Sequence, residues 1–403
     1  EAFTQLIKKL KPDGMIGIVN GNKIRMLGSF KKAFATFGVH DISRHVLLFA
    51  DTKALKNGTI YSQMISPFDN VRTLIKRSPF THEEVTLIEN RVKSMGQSIV
   101  YAPDYRNDEV EKTLKFIPNF LREILVSRNP DGLLGRFSEK KMADFRPISD
   151  DKPFHDNFFY FGSIFQKRFW DFYQKNFLTL SFKHYTLHLY QLGYALLITI
   201  SSVLIVLVFV FLQRRKLNLG FDVPYMFFFA LIGLAFMIVE IGFLHKFVLY
   251  LGNPIYSFSV IISGLLFSLG LGALLSEQIF TRCHLSLKRM ACVITILLFG
   301  MYHFLPYVIQ WTLGFSLMVK MIIALMTIAI AGFCMGMLFP QGLKVVSKEH
   351  NELVPILWGI NGLMSVIGST VGTYVSLFYG FNSLFLVGAI LYFLLIIIPI
   401  KQV

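Results

Sequence analysis

A chain of 403 residues that is 54% hydrophobic and only 16% charged is too apolar for an ordinary water-soluble protein, where the apolar share is about 45–50%. Its net charge of +15 would suit nucleic acid, but the basic residues form no compact stripe interleaved with aromatics, which excludes that class of partner. The three cysteines, Cys283, Cys292 and Cys334, have no C-x-x-C spacing, so neither a disulfide framework nor a metal site is expected.

The chain opens on Glu1 without a signal-peptide pattern, which reads as a fragment or a processed product. Residues 2–10 have helical periodicity, and the turn Lys11-Pro12-Asp13-Gly14 stops that helix. "MIGIVN" then reads as a short buried strand, followed by a helix over about 25–37. Residues 45–51 and 71–77 are two further strands. Thr81 and Glu84 have capping-box spacing and fix the start of the next helix. Residues 98–103 give another strand, and helices are expected near 108–127.

Near Tyr185 the solvent requirement changes. Of 40 Lys and Arg, 29 precede residue 186, as do 20 of 25 Asp and Glu. Beyond it, seven apolar segments are each long enough to cross a core of about 30 Å: 187–212, 225–251, 255–276, 290–310, 316–339, 355–379 and 381–400. This gives a water-soluble domain at 1–157, an amphipathic connector at 158–186 and a seven-helix transmembrane domain at 187–403.

The loops of the membrane half alternate in charge. Arg214, Arg215 and Lys216, then Arg282, Lys288 and Arg289, then Lys344 and Lys348, and finally Lys401 all fall on one side if every segment spans. That side is cytoplasmic by the positive-inside rule. With seven spans, the domain before Tyr185 then lies on the opposite face.

Small residues recur every four positions at Gly264, Ser268 and Gly272, at Gly332 and Gly336, and at Gly368 and Gly372, which suits close helix packing. Glu240 stands near the middle of the second span, where a carboxylate is costly unless paired or protonated. His245, Lys246 and His303 are candidate partners for it. Its role is either a proton or substrate pathway or an interhelical hydrogen bond. Asn361 in the sixth span is a further polar candidate.

Four stretches resemble the multispan membrane proteins that carry a spermidine-synthase-like domain. These are "EAFTQLIKKLKPDGMIGIVNGN", "TLIKRSPFTHEEVTLIENRVKSMGQSIVYAP", the boundary "ISDDKPFHDNFF", and the membrane stretches "FMIVEIGFLHKFVLYLGNPIYSFSV", "GMLFPQGL" and "VPILWGINGLMSVIGSTVG". The likeness implies a partial Rossmann-like, methyltransferase-type α/β domain followed by an all-α polytopic domain in a bacterial inner membrane. It implies S-adenosylmethionine or its decarboxylated form as donor and a small amine as acceptor. It also implies that the first strands, the catalytic Asp and further spans lie upstream of Glu1. No Gly-rich donor loop is present. Asn20 and Asn22 fall at the family's substrate-side strand end. The family's Tyr-Pro substrate motif is missing after His45. Asp150 and Asp151 match its boundary acids, as holders of an amine or as partners of Arg146 and Lys152. The alternative is a transporter or sensor whose transferase-like domain has lost its chemistry.

Overall fold

In the computed structural model, the described residues are 2–18, 23–51, 71–105, 117–141, 144–153, 166–167, 171, 193–195, 197–205, 208 and 219–400. The chain divides into two compact units, Glu1–Tyr190 and Gln191–Val403. Most of 158–186 lies outside the described residues, as do Asn20 and Asn22.

In the first unit, α1 (Ala2–Lys9) ends at the expected turn, where the Gly14 amide donates to the Lys11 carbonyl at 2.9 Å. Strand β1 (Met15–Ile18), helix α2 (Lys23–Ala35), strands β2 (Val46–Asp51) and β3 (Val71–Lys76), helix α3 (His82–Ser94) and strand β4 (Gln97–Tyr101) follow. Helices α4 (Ile117–Val126) and α5 (Pro130–Lys141) close the unit. The capping box at α3 forms: the Glu84 amide donates to Thr81 Oγ1 at 3.3 Å, and the Thr81 amide to Glu84 Oε2 at 2.9 Å.

The four strands lie in the order β1-β3-β2-β4, and every pair is antiparallel. Because β1 and β2 both run against β3, they point the same way as each other, with α2 crossing between them. A doubly wound sheet hydrogen-bonds its strands in parallel; among the described residues none pair that way. The reason is the insertion of β3, which takes the inner edges of both β1 and β2. Strand β2 is one of the two interior strands, with Val46, Leu47, Leu48 and Ala50 fully buried, as a strand covered on both faces should be. Leu47 also joins Phe80, Val85, Val92 and Ile99 in a core between sheet and α3, where each large apolar side chain contributes about 1.5–3 kcal/mol.

In the second unit five helices are long and apolar enough to cross a membrane, and the chain is a multi-pass membrane protein. These are α6 (Leu219–Leu251), α7 (Pro254–Arg282), α8 (Leu287–Thr312), α9 (Leu317–Glu349) and α10 (Val354–Tyr379). Polar caps separate them: Asn253 accepts from the Ile255 amide at 3.0 Å, and Ser286 from the Arg289 amide at 3.3 Å.

Of the seven expected spans, five are these helices; the last is a shorter apolar helix, and most of the first lies outside the described residues. Helix α11 (Asn382–Ile397) has only 16 residues, or about 24 Å, against a core of about 30 Å. It stops early because Ile398, extended at ψ 131, precedes Pro399, and a residue before proline is disfavoured in the α region. The expected first span, 187–212, is helical at 193–195, 197–205 and 208 and otherwise lies outside the described residues.

Helix pairing in this unit has a regular pattern. The most extensive contacts are α7 with α9 and α6 with α10, followed by α8 with α11 and α6 with α11. Gly233 meets Asn361, Gly368 meets Leu234 and Met237, and Gly372 meets Ile238 and Ile241, so α6 and α10 run parallel. Gly264 meets Leu325, Gly332 meets Ser268, and Ser276 meets Gln341, so α7 and α9 also run parallel. The interfaces are lined by small residues because lipid offers no hydrophobic drive, leaving backbone approach and interhelical hydrogen bonds as the sources of attraction.

Candidate functional site

The boundary motif of the first unit is organised by Asp144, a residue that motif reading missed. Its side chain is only 2% exposed. Arg146 reaches it with two bonds, Nε to Oδ1 at 2.9 Å and Nη2 to Oδ2 at 2.8 Å. Lys152 Nζ adds a third to Oδ2 at 3.1 Å. The Arg25 side chain from α2, itself buried, donates from Nε to the Arg146 carbonyl at 3.0 Å. Burial pushes the Asp144 carboxyl up, but the Arg146 hydrogen bond and the charges of Lys152, Arg146 and Arg25 outweigh it and hold the group well below the ordinary carboxylate range. Burial lowers Lys152, and Asp144 offsets only part of this. The Arg146 amide donates a fourth bond, to Oδ1 at 3.1 Å, which occupies the remaining lone pair and leaves none for proton transfer. The Arg25–Arg146 bond ties this segment to α2. The sequence signal was the Asp-x-Arg spacing at 144–146 with Lys152 close behind.

Asp150 and Asp151 sit in the tight turn that the Ser149–Lys152 bridge closes, Asp150 exposed and Asp151 half-buried. Arg146 and Lys152, the basic groups expected to pair with them, each bind Asp144.

Two other groups in this unit are shaped by burial. His45 is 6% exposed, bonded through Nδ1 to the Lys76 carbonyl at 3.1 Å and set against the Phe34 ring; burial lowers its basicity beyond what the carbonyl bond restores. Burial pushes the Tyr101 hydroxyl up to about 12, and it donates to the Ser43 carbonyl at 3.1 Å.

The intramembrane candidates fall on separate helix contacts. Asn361 Nδ2 donates to the Phe229 carbonyl of α6 at 3.0 Å, and Ser365, one turn on, donates from Oγ to the Gly233 carbonyl at 3.3 Å. His245 stacks on Phe381 with ring centroids 4.7 Å apart, while the exposed His303 ring stands edge-on to Phe299 and Tyr302 of its own helix. Glu240 is half-buried and touches none of these: among the described residues it makes no hydrogen bond or ion pair. Seven residues from Gly233, it lies on nearly the same side of α6 as the Asn361 contact. The parallel register sets it level with Gly372 of α10.

Among the described residues no group of three His, Cys, Asp or Glu side chains could hold a metal ion. Compared with protein-family models, with curated proteins and with solved structures, the chain matches none.

Proposed function

We propose that the chain is a membrane protein of the spermidine-synthase-like kind, in which the first unit is the closing part of an S-adenosyl-donor-dependent transferase sheet anchored in a bacterial inner membrane. One observation supports this reading above the others: β1 and β2 point the same way and are joined by a crossover helix, which is the building unit of nucleotide-binding α/β sheets. Strand β3 returns between them.

The reaction would be aminopropyl or methyl transfer. An amine nitrogen attacks the carbon bound to the donor sulfonium, the carbon–sulfur bond breaks with its electron pair going to sulfur, and a carboxylate takes the proton from nitrogen. In sequence, Asn20 and Asn22 come two and four residues after Ile18, the last of β1, and the resemblance gives them the substrate role. Asp150 and Asp151 are carboxylates that suit an ammonium group. Asp144 is committed to its cations, so the base and the donor loop must come from elsewhere than the boundary cluster. Calorimetric titration of the full-length protein with S-adenosylmethionine and its decarboxylated form tests this. Binding of either supports the reading; a folded protein that binds neither overturns it.

Transport or sensing is the second reading, favoured by the polar groups Asn361, Ser365 and Glu240 on adjoining faces of α6 and α10. Uptake of labelled polyamine into proteoliposomes, lost in Glu240→Gln, would support it. Donor binding without uptake would reject it.

A further inference from the structure

The six helices from 219 to 397 divide into two triplets that match in order and in partner. The first helices, α6 and α9, both have 33 residues; the second, α7 and α10, have 29 and 26; the third, α8 and α11, have 26 and 16. Exchanging the triplets exchanges the two most extensive contacts: the first helix of each triplet packs along the second helix of the other, α6 with α10 and α9 with α7. The contact residues correspond as well. Ser365 reaches Gly233 in one pair and Ser268 abuts Gly332 in the other.

Helices α6 and α9 run antiparallel. Phe229 meets Phe339 at one end, and Lys320 lies over the Tyr250 ring at the other. Equivalent helices therefore cross in opposite directions, which is the signature of an inverted-topology repeat. Membrane proteins built this way place their ligand sites near the midplane where the repeats meet.

Glu240 breaks the symmetry. It lies about five residues, roughly 7–8 Å, from the middle of α6. The correspondence of Gly233 with Gly332 sets it against Phe339, which packs between the Phe229 and Trp358 rings. The equivalent position is thus filled by an aromatic ring, so the architecture does not need a carboxylate there. Neither α10 nor α11 carries a charged residue, and level with Glu240 the α10 helix offers Gly372 and the hydroxyl of Thr373. The nearest charged groups along α6 are His245, held against Phe381, and the buried Lys246. A carboxylate in such a position is costly unless it is compensated.

We propose that residues 219–397 form an inverted repeat of two three-helix units, and that Glu240, which has no counterpart in the second, binds a small cation within the membrane, either an alkali ion or a protonated amine. This deepens the transport reading and is independent of the transferase one. The test uses the full-length protein in proteoliposomes, with dicyclohexylcarbodiimide as a probe of the Glu240 carboxyl read by peptide mass spectrometry. Sodium, potassium and spermidine are each compared with choline, which has no N–H to donate. One of the three is expected to slow modification several-fold and to raise the unfolding temperature of the wild type but not of Glu240→Gln. Slowing by sodium or potassium identifies an alkali ion, and slowing by spermidine alone identifies an amine. The proposal is overturned if no cation alters modification or unfolding, or if Glu240→Gln responds as the wild type does. Should that variant not fold, the wild-type modification rates decide by themselves. Neither uptake nor donor binding enters the readout, so failure here is distinguishable from failure of either reading above.

Discussion

Asn361 Nδ2 donates to the Phe229 carbonyl at 3.0 Å, and one helical turn along, a Cβ added at Gly233 would overlap the Asn361 carbonyl oxygen. The two contacts lock α6 against α10 at backbone distance. Replacing Asn361 by Leu removes one interhelical hydrogen bond, worth about 0.6 kcal/mol and at most about 1.7 in a membrane. Gly233→Leu forces the helices apart and should cost more, about 1–3 kcal/mol. Thermal unfolding in detergent should rank them in that order. Gly359→Ala, with open space around the added carbon, should leave the midpoint unchanged.

Removing Asp144 leaves Arg146 and Lys152 without their anion beside the buried Arg25. Asp144→Ala should therefore destabilise the first unit by about 3–5 kcal/mol. Hydrogen exchange of peptides from residues 23–35 and 144–153 should accelerate together. Unchanged exchange in α2 would separate it from the boundary segment.

His45 gives the first unit a pH dependence. Its basicity is lowered from the ordinary 6.5, so near that pH the unfolded chain binds more protons than the folded one. Stability from the neutral ring is present above pH 6.5 and is lost as the pH falls below it. Full-chain unfolding midpoints should drop between about pH 7 and 5, and His45→Gln should flatten that slope. Asp144 adds a second loss at lower pH: with its folded value held below 3.8, its contribution is present above 3.8 and fades as the pH falls further.

The capping box offers a smaller local test. Thr81→Ala removes the acceptor for the Glu84 amide, and should cost about 1 kcal/mol, with fraying confined to the first turn of α3. Exchange rates across His82–Ser94 would show whether the effect stays at the N-terminus.

Local signals in the sequence translated well where one residue type settles the backbone. The Lys11–Gly14 turn and the Thr81 box appear where expected, and α6 to α10 cover the expected apolar runs, with α9 continuing ten residues past its run to Glu349. Ile398 and Pro399 misled because apolarity continues past the point where proline ends the helix. The insertion of β3 between β1 and β2 was not legible, since strand order depends on pairing between segments far apart in the chain. Asp144 was hidden for a similar reason: its cluster meets Arg25, more than a hundred residues away in the chain, through the Arg146 carbonyl. In the membrane, spacing identified Gly332, Gly336, Gly368 and Gly372 as contact residues, but only the packing shows that Gly233 belongs with them.

Topology mapping tests most directly whether α6 to α10 cross a membrane in alternating directions. Single cysteines at the native Cys283 and at Ser347, Asn253 and Gly314, in an otherwise cysteine-free full-length protein, would be labelled from each face of sealed vesicles. Positions 283 and 347 should react from one face and 253 and 314 from the other. Labelling of 283 and 347 from opposite faces would contradict both the alternating crossings and the inverted repeat built on them.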